Sequence, residues 1–410
     1  MEQTLKTTAL ARRLQQIENL RDEIAAAGDK AQEMRRLPDD HVNKLIDEGF
    51  FRFALPKELG GDDASSMDTI AILEAMAAID ASVAWNVMLG SEINAMAVGG
   101  MDPDVAKAIY LDNPRVVMCG GGGPGTTPPR AERTEDGGVR VWGQSTFISG
   151  CHNATWCFMG APLMKPGSDE PELTDEGAPT FKLWMMHRDE WEIIDTWDVA
   201  GLRGSGSNDV KADGAYVRPE HVGVDLFALP AHYENPVYRM PVPLRLSYNK
   251  VAIALGVAKG AIEAFSDLAQ NKIPMLSAST LAKRPMAQSR MGEAVATYRA
   301  ARSYVMQAME DIEDELKAGA PVPGAETTIN ARLACTYGAN ECMKVVDLLH
   351  NTAGTSGMRM YSPLERKLRD AHGCATHRWV AHPLYQDLGS IFLGNEPDPE
   401  FTGAGGPTPK

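Results

Sequence analysis

Trp197-Asp198-Val199-Ala200-Gly201-Leu202-Arg203-Gly204-Ser205-Gly206-Ser207-Asn208-Asp209-Val210 sets three glycines and a run of small polar residues between two apolar segments. That composition describes a shaped backbone rather than a helix. Glycine permits positive φ and close approach of the main chain to a ligand, and serine hydroxyls and free N–H groups can meet polar ring edges or phosphate oxygens. Alone, the stretch also suits a plain surface turn. About fifty residues upstream, Trp142-Gly143-Gln144-Ser145-Thr146-Phe147-Ile148-Ser149-Gly150 reads as a strand running into a Ser-Gly break. A second glycine tract, Cys119-Gly120-Gly121-Gly122-Gly123-Pro124-Gly125, is either a mobile loop or backbone passing close to a ligand. No GxGxxG pattern opens a strand–helix unit, so a nicotinamide-binding fold is not indicated.

Outward from these segments the chain divides by pattern into three. Residues 1–115 carry Ala-, Leu- and Met-rich segments at helical spacing and predict a helical domain. Residues 116–225 change to short strand-like runs such as 139–142 and 180–185, with an acidic, proline-rich exposed loop at 164–178. Residues 226–395 return to long alanine-rich amphipathic segments, at 251–269, 286–318 and 328–352, and predict a helix bundle. The last stretch, 396–410, reads as a flexible tail. Helices on both sides of a β domain leave a cleft at the junction, where cofactors commonly sit. The 410 residues, 44% hydrophobic and 23% charged, suffice for a large core and more than one domain. A net charge of −15 with scattered Lys and Arg argues against nucleic acid as a partner. The sequence contains neither a long apolar span nor an apolar signal core, which argues against a membrane and for the cytoplasm. Six cysteines without CxxC pairing predict free, buried thiols.

Together the Ser-Gly strand end and the Gly-Ser loop resemble the flavin-binding middle domain of the acyl-CoA dehydrogenase superfamily. Leu55-Pro56-Lys57-Glu58-Leu59-Gly60-Gly61, Ala81-Ser82-Val83-Ala84-Trp85, Ala353-Gly354-Thr355 and Pro363-Leu364-Glu365-Arg366-Lys367-Leu368-Arg369-Asp370 extend the likeness, in order, over nearly the whole chain. The resemblance implies an α+β fold: a helical N-terminal domain, a middle antiparallel β-barrel-like domain and a C-terminal four-helix bundle through which homotetramers form. It implies a flavin ring between the middle domain and the bundle, with Phe147, Ile148 and Ser149 on one side and Thr196 and Trp197 close by. Ser149 would then offer its hydroxyl and N–H to the ring edge, where charge shifts; otherwise it is a strand-end cap. Arg369, which could equally pair with neighbouring carboxylates, would hold the flavin phosphate, with Arg290 as a second candidate.

The dehydrogenases' catalytic glutamate motif, Tyr-Glu-Gly-Thr, is missing after Arg369-Asp370, and the region Ser247 to Ala252 offers no carboxylate. Gly120 to Pro124 also replaces a Thr-Glu-Pro-like segment. Both losses point to a sister branch, the oxygenase components of two-component flavin monooxygenases. That branch carries a Phe-x-Ser-Gly-x-x-x-Ala phrase, matched by Phe147 to Ala154, and a histidine where His377 stands; it usually has Trp in place of Ser145. A group titrating near neutrality could give or take a proton during oxygen activation, so His377 is the expected catalytic partner of Ser149, against the alternative of a core histidine. His372, His377 and His382 are five apart, which turns successive rings by about 140° on a helix, and no metal site is expected. Met88, Asn94, Gly120 and His152 are the candidates for the substrate side, although a methionine-rich helix is equally suited to plain core. The resemblance therefore implies a protein that takes reduced FMN or FAD from a separate flavin reductase and forms a C4a-hydroperoxide with O2. It would then oxygenate a small aromatic or heteroaromatic molecule. An acyl-CoA dehydrogenase with an unrecognised base is the alternative, and a scaffold without flavin affinity a third.

Overall fold

The computed structural model describes residues 8–221 and 232–396; the tail expected over 396–410 lies outside them from residue 397 onward. Six helices come first: α1 (Thr8–Asn19), α2 (Arg21–Met34), α3 (Asp39–Asp47), α4 (Ser66–Ile79), α5 (Ala81–Gly100) and α6 (Pro103–Asp112). Their starts are written in the sequence as N-caps. The Ser65 hydroxyl accepts from the Asp68 N–H at 3.1 Å, and the Asp80 carboxylate accepts from the Val83 N–H at 2.9 Å. Residues 81–99 of α5 are all buried, so this helix has no solvent face and runs through the centre of the molecule.

The middle region holds β1 (Met118–Gly120), β2 (Arg130–Arg133), β3 (Val139–Ser145), β4 (Trp156–Pro162), β5 (Phe181–His187), β6 (Trp191–Ile194) and β7 (Asp209–Val217). They form two sheets, ordered β1-β4-β5 and β2-β3-β7-β6. Between them lies a separate core that includes Cys119, Val141, Cys157, Trp184, Met186 and Val210. One pair departs from the antiparallel expectation: β1 and β4 run parallel, with Met118 opposite Trp156. Between these two strands the chain travels through β2 and β3 of the other sheet, an excursion long enough for the crossover that parallel pairing requires. The acidic stretch 164–178 is exposed and closed by the isolated bridges Met164–Pro171 and Leu173–Pro179.

The bundle comprises α7 (Val242–Asn271), α8 (Pro285–Lys317), α9 (Ala325–Ala353), α10 (Pro363–Ala375) and α11 (Leu384–Phe392). Helix α7 lies directly on α4 because two glycines face it. A Cβ on Gly256 would sit 2.5 Å from the Glu74 carbonyl oxygen, and one on Gly260 would sit 2.2 Å from that of Ala78. This close crossing draws the N-terminal helices onto the bundle and leaves α5 between α7 and the short sheet. All six cysteines are buried and unbridged. No helix among the described residues is long and apolar enough to cross a membrane.

Candidate active site

At the end of β3 the chain turns sharply. Phe147 adopts a left-handed backbone (φ 59°) and leaves its ring 65% exposed, whereas Ile148 is buried and donates its N–H to the Asn208 carbonyl at 3.0 Å. A bulky non-glycine residue held at positive φ is uncommon and is kept only where its surroundings enforce it. Ser149, next in line, is buried, with its hydroxyl oxygen 2.6 Å from that of Ser207, which lies 2.7 Å from that of Ser205. From the other side the Trp85 indole N–H donates to the Ser149 oxygen at 3.1 Å. Indole can only donate, so the Ser149 hydroxyl accepts there. The Trp85 ring meets His377 edge-on at 5.6 Å, and Phe147 meets Trp197 edge-on at 6.0 Å. Strand end, Gly-Ser loop, central helix and C-terminal turn thus converge on one wall.

The Gly-Ser loop is held by side chains rather than by sheet bonds. The Asn208 side-chain oxygen, Oδ1, accepts the N–H groups of Thr196 and Trp197, each at 2.9 Å, and its side-chain nitrogen lies 2.8 Å from His152 Nε2. With the amide donating, His152 carries its proton on Nδ1, and burial, more than the nearby Arg36 charge, holds its pKa below the usual range. Thr196 is exposed, and its hydroxyl donates to the Asp209 carboxylate at 2.9 Å. Leu202, another residue at positive φ (52°), donates its N–H to Asp370 on α10 at 2.7 Å. Burial, followed by the Asp80 charge, raises the Asp370 carboxyl to about 6.

Several residues expected at the site have other occupations. Arg369 spends Nε and Nη2 on Glu365 (2.7 and 2.8 Å) and Nη1 on the Ala200 carbonyl (2.5 Å), so it clamps the loop to α10 and offers no free fork to a phosphate. Arg290 is exposed on α8 and pairs with Glu293 at 2.8 Å. Asn94 is a tie inside the core: it donates to the Phe51 carbonyl (2.9 Å) and accepts from the Tyr110 hydroxyl (3.0 Å) and the Met118 N–H (3.2 Å). Met88 is wholly enclosed in that core. Gly120 serves close packing, since a Cβ there would lie 2.7 Å from that of Phe158. His152 is tied to Asn208. Among the described residues no cluster of His, Cys, Asp and Glu could hold a metal ion, and His372 and His382 turn instead to Asp347 and Tyr385.

His377 lies in the turn after α10, where its Nδ1 accepts a long bond (3.4 Å) from the Trp379 N–H and its Nε2 has no partner among the described residues. That turn is fastened by Ser247, which donates to the Trp379 carbonyl at 2.9 Å, and by Asn340, which donates to the Val380 carbonyl at 3.1 Å. Burial, and then the Lys250 charge, push the imidazole down to about 3. This differs from the expectation of a group titrating near neutrality: burial favours the neutral ring. Lys250 itself is buried with Glu92, Nζ to Oε1 2.5 Å, and burial moves the lysine down and the carboxyl up. Sequence reasoning passed over Trp85, Ser205, Ser207 and this ion pair as site residues. One signal was available: a lysine that opens the apolar, alanine-rich run Val251 to Ala258.

The wall suits a flavin. An isoalloxazine has apolar faces and a polar rim; the rings of Phe147 and Trp197 offer flat apolar surface, and the polar groups of Ser149 and His377 stand on the same wall. Profiles of the acyl-CoA dehydrogenase N-terminal and C-terminal domains match residues 12–111 and 249–382. The chain belongs to the acyl-CoA dehydrogenase superfamily. Within the superfamily it is similar to indole-3-acetate monooxygenase of Acinetobacter baumannii, 28% identical over 362 residues, 88% of this chain and 89% of the relative. It is also similar to the oxygenase component of the FADH2-dependent resorcinol hydroxylase of a Rhizobium species, 25% identical over 419 residues, 97% of this chain and 98% of the relative. The crystal structure of 3-HSA hydroxylase from a Rhodococcus species shares the fold at a TM-score of 0.82 and 23% identity, covering 96% of this chain and 98% of that one. Relatives of this kind are flavin-dependent monooxygenases and their oxygenase components rather than dehydrogenases.

Proposed function

We propose that this chain is the oxygenase component of a two-component flavin monooxygenase, working in the cytoplasm as a homotetramer. It takes reduced FMN or FAD from a separate reductase and inserts one atom of O2 into a small aromatic or heteroaromatic substrate. The reaction balances as substrate C–H, O2 and the two electrons and two protons of reduced flavin giving C–OH, water and oxidised flavin. The observation that carries the reading is the wall of Ser149, Trp85 and neutral His377, which has no free carboxylate. A dehydrogenase needs a carboxylate base beside the substrate carbon. Glu92, the acid buried on the Trp85 helix, is bound to Lys250 at 2.5 Å instead.

When bound, reduced flavin supplies the electrons that activate O2. Phe147 and Trp197 would hold the ring by its apolar faces, and the Ser149 hydroxyl, one lone pair of which is taken by Trp85, would set a fixed dipole at its edge. His377 would stand at the same edge as a neutral imidazole. Burial of Ser149 and Trp85 would keep water from that side of the ring. To test the reading, the full chain is supplied with a flavin reductase, NADH, FMN or FAD, and isotopically labelled O2, with indole-3-acetate as trial aromatic. One labelled atom in an oxidised aromatic product is expected. Failure to oxygenate any aromatic, together with bleaching of bound oxidised flavin by acyl-CoA thioesters, would establish the dehydrogenase instead.

A further inference from the structure

Resting on the flavin reading above, the contacts of one buried carboxylate assign a further residue to the site. Asp370 lies on α10 at 2% exposure and forms no ion pair among the described residues. Its charged neighbours are engaged elsewhere. Arg366 pairs with Asp29 at 2.7 Å and faces Asp80 at 3.5 Å, Lys367 donates to the Ala78 carbonyl at 2.8 Å, and Arg369 is bound to Glu365 at 2.7 Å. What Asp370 does hold is the N–H of Leu202, at 2.7 Å. A carboxylate in the interior is costly without a compensating partner, and the partner here is a single backbone amide of the Gly-Ser loop.

Leu202 passes that grip on to the wall. Its backbone is left-handed (φ 52°), a conformation that a bulky residue keeps only where its surroundings enforce it, and its side chain is buried. Its carbonyl accepts the Trp197 indole N–H at 3.4 Å and the Ser205 N–H at 2.9 Å. Trp197 in turn meets Phe147 edge-on at 6.0 Å, so Leu202 links Asp370 to the aromatic surface offered to the flavin. The loop backbone also lies directly against α10, since a Cβ on Gly201 would sit 2.0 Å from the Arg369 carbonyl oxygen. Just past the end of the same helix stands His377, whose N–H donates to the Cys374 carbonyl at 3.2 Å. Helix α10 therefore sets the Trp197 side and the His377 side of the wall in one register, about two turns apart.

We propose that Asp370 is a positioning residue for the flavin: by holding Leu202 it fixes the Trp197 ring against Phe147. Two readouts test this, one of them free of flavin. In the full chain labelled with fluorotryptophan, the Trp197 fluorine resonance is identified by its loss in Trp197→Phe, and reduced FMN is then titrated anaerobically into each variant. Asp370→Ala should move that resonance and weaken FMN binding about tenfold or more. Asp370→Asn keeps an oxygen acceptor for the Leu202 N–H, so it should leave the resonance in place and bind within about twofold of wild type. Gly201→Ala forces the loop off α10 without removing a polar group; it should repeat the Asp370→Ala result, and it decides the matter if Asp370→Ala does not fold. A Trp197 resonance unmoved in Asp370→Ala and Gly201→Ala, or an affinity loss as large in Asp370→Asn as in Asp370→Ala, overturns the assignment and leaves the flavin reading intact. A moved resonance in a protein whose wild type binds neither reduced FMN nor reduced FAD overturns the flavin reading and with it the flavin role of Asp370, while the hold on Trp197 stands.

Discussion

Held at about 3 by burial and the Lys250 charge, the His377 imidazole is neutral throughout the working pH range, and this has a cost in acid. Its folded pKa lies below the unfolded value of about 6.5, so between the two the unfolded chain binds the extra proton. The stability is fully present above about 6.5 and is lost as pH falls toward 3. His377→Gln removes that contribution, so its melting temperature should fall less than that of wild type between about pH 7 and pH 5; an equal fall would refute the neutral assignment. The depressed His152 and His41, and the raised Asp370, whose effect runs in the opposite sense, are common to both proteins. At Ser149 the expectation is different. Ser149→Ala strands the Trp85 N–H, and loses the hydroxyl at the ring edge, so it should cost about 1–3 kcal/mol in denaturant unfolding. It should also lower product formed per flavin oxidised. A variant as stable and as well coupled as wild type would remove Ser149 from the site.

The Gly-Ser loop, as an element, hangs on Asn208. Asn208→Ala leaves the N–H groups of Thr196 and Trp197 and the His152 ring without their partner, and should destabilise by about 2–4 kcal/mol. Asn208→Asp keeps the acceptor and should cost less; the two are separated by thermal or urea melts. The Cys119 to Gly125 tract is as demanding, because a Cβ on Gly122 would lie 1.8 Å from the Thr146 carbonyl oxygen. Gly122→Ala should therefore misplace Phe147 and weaken flavin binding at least tenfold, measured by titration with reduced FMN. Much of this was legible in the sequence: the loop from its glycines and serines, the strand end from its Ser-Gly break, the long helices from their apolar period. Contacts between distant residues were not. Trp85 meets Ser149 across 64 residues and Lys250 meets Glu92 across 158, and no local pattern encodes which partners a packed core selects. Arg369 shows the same limit from the other side. Its residue type suited a phosphate, but Glu365 one helical turn away and the Ala200 carbonyl claim its donors. The parallel β1–β4 pair was equally out of reach, since pairing direction follows from the path of the intervening chain.

Across the whole molecule, α5, the Gly-Ser loop and the C-terminal turn come together at one wall. That convergence is what the oxygenase account requires, because reduced flavin must arrive from outside, react with O2 away from water and leave oxidised. The most direct test follows one turnover of oxygen. Full-length protein mixed anaerobically with reduced FMN or FAD is combined with oxygenated buffer in a stopped-flow instrument, and flavin absorbance is recorded. The account predicts a species absorbing in the near ultraviolet that forms before oxidised flavin and persists longer with the protein than without it. Oxidation indistinguishable from that of free flavin, or a tightly held flavin that resists O2 once reduced, would contradict it.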